Sequence, residues 1–247
     1  MIRFVARWAP LGVLALAWEG SARLGLVSPQ VLPPLSRVAV SFWTMTQSGE
    51  LPVNAAESLT RLVAGLAMAV GGGVLLGLLM AWYRAPRVVF APLLRLLFPL
   101  PKTALIPVLL LWFGLGDLSK VMLIFLGCLL PVVLSTFNGV RGVERTMIWS
   151  ARSLGCGHAR ALFGVALPAA LPDILAGLRT ALALSFILLV TSEFLMANNG
   201  LGYLISYLGS GGAYGAMFAA VLVVALLGFA ADRVFLLISR RVLAWRE

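Results

Sequence analysis

The stretch SARSLGCGHARALFGVALP, residues Ser150 to Pro168, decides how the rest of the chain is read. It is basic, helix-compatible and broken by glycine, and it separates two apolar runs, from about Lys120 to Phe137 and from about Ile174 to Met196. A helix needs roughly 17–25 apolar residues to cross a bilayer, and both runs meet that length. Two spanning helices are therefore expected to be joined by two short helices, with Gly155 and Gly157 at the turn. Leu154, Ala161, Leu162 and Val165 offer this hairpin an apolar side, and Arg152 and Arg160 a charged one. Pro168 and Pro172 mark the entry to the next span, where proline can start a helix but not continue one.

The whole chain is as apolar as those runs. Of its 247 residues 61% are hydrophobic and 11% charged, with a mean hydropathy of +1.02. A soluble fold has too little polar surface to cover that much apolar area, so the chain reads as an all-α polytopic membrane protein. The net charge of +10 does not point to nucleic acid, because the arginines lie in short clusters between apolar runs. Cys128 and Cys156 fall in an apolar run and in the basic loop, which argues against a disulfide. A single histidine, His158, leaves no metal cluster to build.

Six spans are expected, at about Ala9–Val27, Leu59–Trp82, Val88–Phe113, Lys120–Phe137, Ile174–Met196 and Tyr214–Ile238. The first resembles a signal peptide but is read as an uncleaved helix, since further spans follow. The second carries Gly71-Gly72-Gly73, which suits close helix approach. The third is interrupted by Pro92, Pro99, Pro101 and Pro107. Between the first two, Val38, Phe42 and Met45 recur at helical spacing with Ser41 and Thr44 between them, the pattern of a short amphipathic interfacial helix. With the N-terminus inside, cytoplasmic segments hold Arg3 and Arg7, then Arg84, Arg87 and Arg95, then Arg141, Arg145, Arg152, Arg160 and Arg179, then Arg233, Arg240, Arg241 and Arg246. That excess places both termini and the Ser150–Pro168 loop in the cytoplasm.

The loop resembles the cytoplasmic signature of ABC-type importer permeases: Glu-Ala-Ala, three residues, Gly, nine residues, Ile-x-Leu-Pro. Here the register is Trp149-Ser150-Ala151, Gly155 and Val165-Ala166-Leu167-Pro168. Ala151, Gly155, Leu167 and Pro168 match in identity; Trp149 stands where the signature has Glu, and Ser150 where it has Ala. PLPKTALIPVLLLWFGLGDLSK (Pro99–Lys120), NGVRGVE (Asn138–Glu144), LPAALPDILAGLR (Leu167–Arg179) and NNGLGYLI (Asn198–Ile205) are similar to the nitrate/sulfonate/taurine branch.

The resemblance implies a single type I importer permease domain over residues 1–247, with its coupling loop at about 140–172. It implies a homodimer in a bacterial inner membrane, two ATP-binding cassette ATPase subunits docked on the loop and an extracytoplasmic solute-binding protein, with membrane lipid around it and no nucleic acid. ATP and Mg would be used by the partner; no cofactor is expected on this chain, which has no Gly-rich phosphate loop with Lys-Ser/Thr. Nitrate, taurine or an alkyl sulfonate is the expected solute, with a heterocyclic vitamin precursor as the alternative within the branch. An ion-coupled secondary transporter would need inverted repeats and a midplane ion site, and the two halves show no such pairing. With Trp149 in place of the Glu, coupling would rest on Arg152, Arg160 and apolar packing.

Ionisable residues inside spans cost several kcal/mol, which makes each a candidate for function. Glu193 lies about 19 residues from Ile174, roughly 28 Å along a helix, near the outer mouth and beside Ser192 and Asn198. It is read either as a lining or gate of the translocation path or as a structural carboxylate held by local polar groups. Lys102 follows prolines that free backbone carbonyls; it either attracts an anion in the pore or snorkels to the interface. Asp117 and Lys120 flank an outer turn, and Glu19 is expected to pair with Arg23 at i,i+4.

Overall fold

Helices account for every regular element among the described residues. The computed structural model describes residues 2–28 and 30–246, leaving out the side chains of 2–8, 11 and 246. In chain order the α-helices are α1 (Ile2–Arg23), α2 (Leu35–Gln47), α3 (Glu50–Trp82), α4 (Arg84–Leu97), α5 (Ile106–Phe113), α6 (Asp117–Gly142), α7 (Arg145–Ser153), α8 (His158–Ala161), α9 (Leu167–Met196), α10 (Leu201–Ser210) and α11 (Tyr214–Val242). A 3₁₀ turn, Lys102–Leu105, precedes α5, and a π turn, Leu162–Ala166, joins α8 to α9.

Among the described residues four helical stretches are long and apolar enough to cross a membrane: Glu50–Trp82, Asp117–Gly142, His158–Met196 and Tyr214–Val242. The expected third span is a broken pair, Arg84–Leu97 and Lys102–Phe113, bent by 97° where Pro99 and Pro101 interrupt the backbone ladder. The expected first span, α1, is not among the four; Pro10 and Glu19 break its apolar run. The second, fourth and fifth spans run longer than expected, and α10 was not anticipated.

The chain divides into two units, Met1–Ser58 with Glu193–Leu226, and Leu59–Ser192 with Leu227–Glu247. In the first, α2 is the amphipathic helix expected, with Val38 and Met45 buried. Glu19 explains its start. The carboxylate pairs with Arg23 at 2.6 Å and accepts the backbone N–H and hydroxyl of Ser36, so it caps an orphan donor at the N-terminus of α2. Trp18 donates its indole N–H to the Pro33 carbonyl and packs edge-on against Phe218.

In the second unit α6 is the central element. Small residues four apart, Gly65, Ala69, Gly73 and Gly77, form a stripe on α3, and at its three glycines a Cβ would stand under 3 Å from Ile124, Val132 or Thr136. Of the triple glycine only Gly73 makes such an approach; Gly71 faces open space. Lipid tails give little hydrophobic drive for helix pairing, so close approach through small residues supplies van der Waals contact instead. Gly127 and Gly139 of α6 and Gly177 of α9 do the same for the α6–α9 pair.

Candidate functional site

The Ser150–Pro168 hairpin belongs to the second unit. α7 ends in a left-handed cap: Gly155 has φ +82°, its N–H donates to the Arg152 carbonyl at 2.9 Å, and the Cys156 N–H reaches Ala151 at 3.0 Å. That pair of bonds satisfies two orphan carbonyls of the helix, and the positive φ favours glycine. A Cβ at Gly155 would meet nothing within 4 Å, so the requirement is conformational and not steric.

One side of the hairpin is anchored. Ala161, Leu162 and Ala166 are buried, the last two in an apolar cluster with Leu78, Ala81, Val140, Ala170 and Ile174, and Leu167 packs against it. Pro168 lies two residues beyond the π turn, after Leu167. A proline ring crowds the carbonyl four residues back, here Gly164, and the widened turn relieves that crowding. The other side is bare: Trp149 is 60%, Leu154 88% and Phe163 62% exposed. Leu154 was expected beside Ala161 and Leu162; as the residue closing α7 it points away from them. Ser150, Arg152 and Arg160 are exposed and Ala151 half-buried. Arg152 meets the His158 ring, which packs on Trp82 with centroids 4.9 Å apart. Trp149 walls two adjoining depressions, one of about 320 Å³ that also includes Trp82, Arg145, Arg152 and His158, the other lined by Thr146, Ser150, Ser153 and Leu154.

Glu193, in the first unit, is completely buried. The Ser58 hydroxyl lies 2.9 and 2.7 Å from its two oxygens, and the Gly202 N–H donates to it at 3.0 Å. Ser58 in turn accepts the Leu201 N–H, and Asn54 accepts that of Gly200. These three N–H groups open α10, so Glu193, Ser58 and Asn54 together form its cap, and the carboxylate also meets the positive end of that helix. Gly200 sits at φ +104°, where a Cβ would lie 2.5 Å from the Glu193 carboxyl. Asn198 is exposed on the preceding turn. Sequence reasoning had singled out Glu193 but not Ser58, Asn54 or Gly202.

In the second unit Ser192 is buried and donates to the Leu189 carbonyl. Lys102 donates to the carbonyls of Leu97 and Leu100, which the broken pair leaves without helical partners. It also lines a cavity of about 390 Å³ whose other polar side chain is Thr180; Phe98, Leu130, Leu184 and Leu188 make up much of the rest. Asp117 binds the buried Arg61 at 2.7 Å, and Lys120 donates to Leu115 and Gly116. Arg179 of α9 and Asp232 of α11 form a two-point ion pair, at 2.7 and 3.1 Å, that the sequence had not signalled. Both cysteines are free, and among the described residues no group of His, Cys, Asp and Glu is arranged to hold a metal.

The architecture is that of a polytopic helical membrane protein. Two solved structures share it: a chain of the MetNI methionine ABC transporter in an inward-facing conformation has a TM-score of 0.62 at 17% identity, covering 75% of this chain and 93% of that one. A chain of an amino acid ABC transporter with histidines has a TM-score of 0.63 at 18% identity, covering 81% and 98%. Residues 73–244 match the family described as binding-protein-dependent transport system inner membrane component. The taurine transport system permease protein TauC of Escherichia coli (strain K12) is 35% identical over 240 residues, 95% of this chain and 87% of that protein. The putative aliphatic sulfonates transport permease protein SsuC of Bacillus subtilis (strain 168) is 33% identical over 235 residues, 95% and 85%.

The chain belongs to the binding-protein-dependent transport system inner membrane component family, as its loop signature led us to expect. It is the multi-pass permease subunit of an ABC importer. Membership implies a binding protein and an ATPase as partners, and ATP hydrolysis belongs to the latter.

Proposed function

We propose that this permease works as a homodimer that admits a small organic sulfonate or similar anion, with one path between the two copies. Taurine and aliphatic sulfonates in the names of its relatives support that solute class. So does the Lys102 cavity, which pairs one ammonium and one hydroxyl with apolar walls, as a short-chain sulfonate requires. The arginine clusters support an orientation with both termini and the α7–α8 hairpin in the cytoplasm, where two ATPase subunits would dock.

The observation that carries the coupling role is the hairpin itself: buried on Ala161, Leu162 and Ala166, bare on Trp149, Leu154 and Phe163. Large apolar side chains facing water on a rigidly capped turn are what a docking surface presents. Trp149 supplies contact area where the family signature has Glu, and Arg152 and Arg160 supply charge. Glu193 serves as the pin of the α9–α10 corner, with Asn198 exposed beside it toward the binding protein, and Ser192 stays inside its helix.

Affinity purification of the chain from its native membrane, with mass spectrometry of what accompanies it, tests the assembly. Recovery of an ATPase and a solute-binding protein is expected. Recovery of the chain alone, under conditions that keep a known importer whole, would overturn it.

A further inference from the structure

A further cavity in the Leu59–Ser192 unit, of about 440 Å³, lies where two spanning helices end. Its lining includes Arg87 and Arg95 of α4, Arg141 of α6 and the ring of Phe137. Arg87 donates to the carbonyls of Met80 and Ala81, two of the last in α3, which ends at Trp82. Arg141 is the penultimate residue of α6. The C-terminal ends of both spanning helices meet at this cavity, which sets it at the membrane–water level and not at mid-bilayer.

The charge there is one-sided. No carboxylate lines the cavity. Among the described residues Arg95 makes no hydrogen bond or ion pair, and the guanidinium carbons of Arg87 and Arg141 each lie 5.7 Å from the centre of the Phe137 ring. Arg87 uses its Nε and Nη2 on backbone carbonyls, and its Nη1 makes no hydrogen bond among the described residues. Three guanidiniums around one cavity call for an oxyanion with several acceptors, and planar guanidinium forks suit phosphate oxygens. Apolar surface continues outward from the charge: Leu93, Leu96 and Leu97 on α4 are 48%, 70% and 46% exposed. An anionic head with hydrocarbon tails satisfies both features.

We infer that this cavity binds the phosphate headgroup of an anionic phospholipid, whose chains run along the exposed leucines of α4. The site shares none of the hairpin's residues and has only the Phe98 wall in common with the Lys102 cavity, and it does not rest on the solute assigned above. Charge neutralisation there would hold α4 against the ends of α3 and α6, across the corner where the chain bends by 97°.

The test uses the full chain reconstituted in phosphatidylcholine vesicles that carry a trace of spin-labelled phosphatidylglycerol or spin-labelled phosphatidylcholine. The motionally restricted fraction reports relative association. A preference for phosphatidylglycerol is expected, falling roughly fivefold for each guanidinium removed in Arg95→Gln and in Arg95→Gln/Arg141→Gln, since a surface arginine contributes ~1 kcal/mol. Arg95 holds no protein partner, so the single variant keeps its fold, and Arg240→Gln/Arg241→Gln controls for generic basic charge. No preference in the unaltered chain, or a preference unchanged in the double variant, would overturn the proposal. So would its loss on adding inorganic phosphate, but not chloride of matched ionic strength, because the cavity would then hold a free oxyanion.

Discussion

Ser58 stands 135 residues from Glu193 in the chain, yet its hydroxyl lies 2.9 and 2.7 Å from the two carboxylate oxygens, while its own oxygen accepts the Leu201 N–H at 2.8 Å. One side chain thus satisfies a buried acceptor and a buried donor. Ser58→Ala strands the Leu201 N–H and takes one donor from Glu193, which keeps the Gly202 N–H; a loss on the order of 1–3 kcal/mol is expected for the buried donor left unsatisfied. Gly200→Ala is expected to be worse, because it adds a clash with Glu193 to the cost of a positive φ. Thermal unfolding of the detergent-purified protein measures both. Transport per folded copy should survive Ser58→Ala; its loss would make Glu193 a gate and not a pin.

Gly155 and Gly157 look alike in sequence and differ in backbone. Gly155 has φ +82°, whereas Gly157 has φ −62°. Neither would bring a Cβ against anything. Gly155→Ala should destabilise the α7 cap by ~1 kcal/mol and lower uptake per ATP hydrolysed, with Gly157→Ala near the unaltered protein on both counts. Equal effects from the two would remove the cap from the coupling account.

Trp149 is 60% exposed, so truncating it costs the fold little. If an ATPase covers it, Trp149→Ala should weaken ATPase binding by about 2 kcal/mol, roughly thirtyfold in Kd, the range of a buried aromatic anchor. Titration of the purified ATPase against vesicles of each variant reads this out. An unchanged Kd would put the contact elsewhere.

Lys102 closes two carbonyls and faces a cavity at once. Lys102→Gln keeps a donor for Leu97 or Leu100 but removes the charge. It should leave the melting temperature nearly unchanged and raise the KM for an anionic solute, whereas Lys102→Met should lower both stability and uptake. Unchanged KM in Lys102→Gln would confine the side chain to a structural role.

Patterns local in sequence were readable in it. The α7–α8 turn followed from Gly155 and Gly157, the broken third span from its prolines, Pro99 and Pro101 among them, and the α2 stripe from Val38, Phe42 and Met45. Relations between distant segments were not. Nothing near Glu193 names Ser58 as its partner, and Arg179 and Asp232 sit in separate spans. The helix-facing stripe of Gly65, Ala69, Gly73 and Gly77 was present at four-residue spacing, but the adjacent triple glycine masked it. α10 is ten residues long and is capped by side chains from elsewhere, so it carried no start signal of its own.

This permease is expected to conduct an organic sulfonate under ATP control. The direct test is uptake of radiolabelled taurine into vesicles containing the chain, its ATPase and its binding protein, with ATP enclosed at the ATPase side. Uptake that requires ATP and the binding protein, and that stops with an ATPase unable to hydrolyse, is the predicted result. Uptake driven by an ion gradient and indifferent to ATP would contradict it.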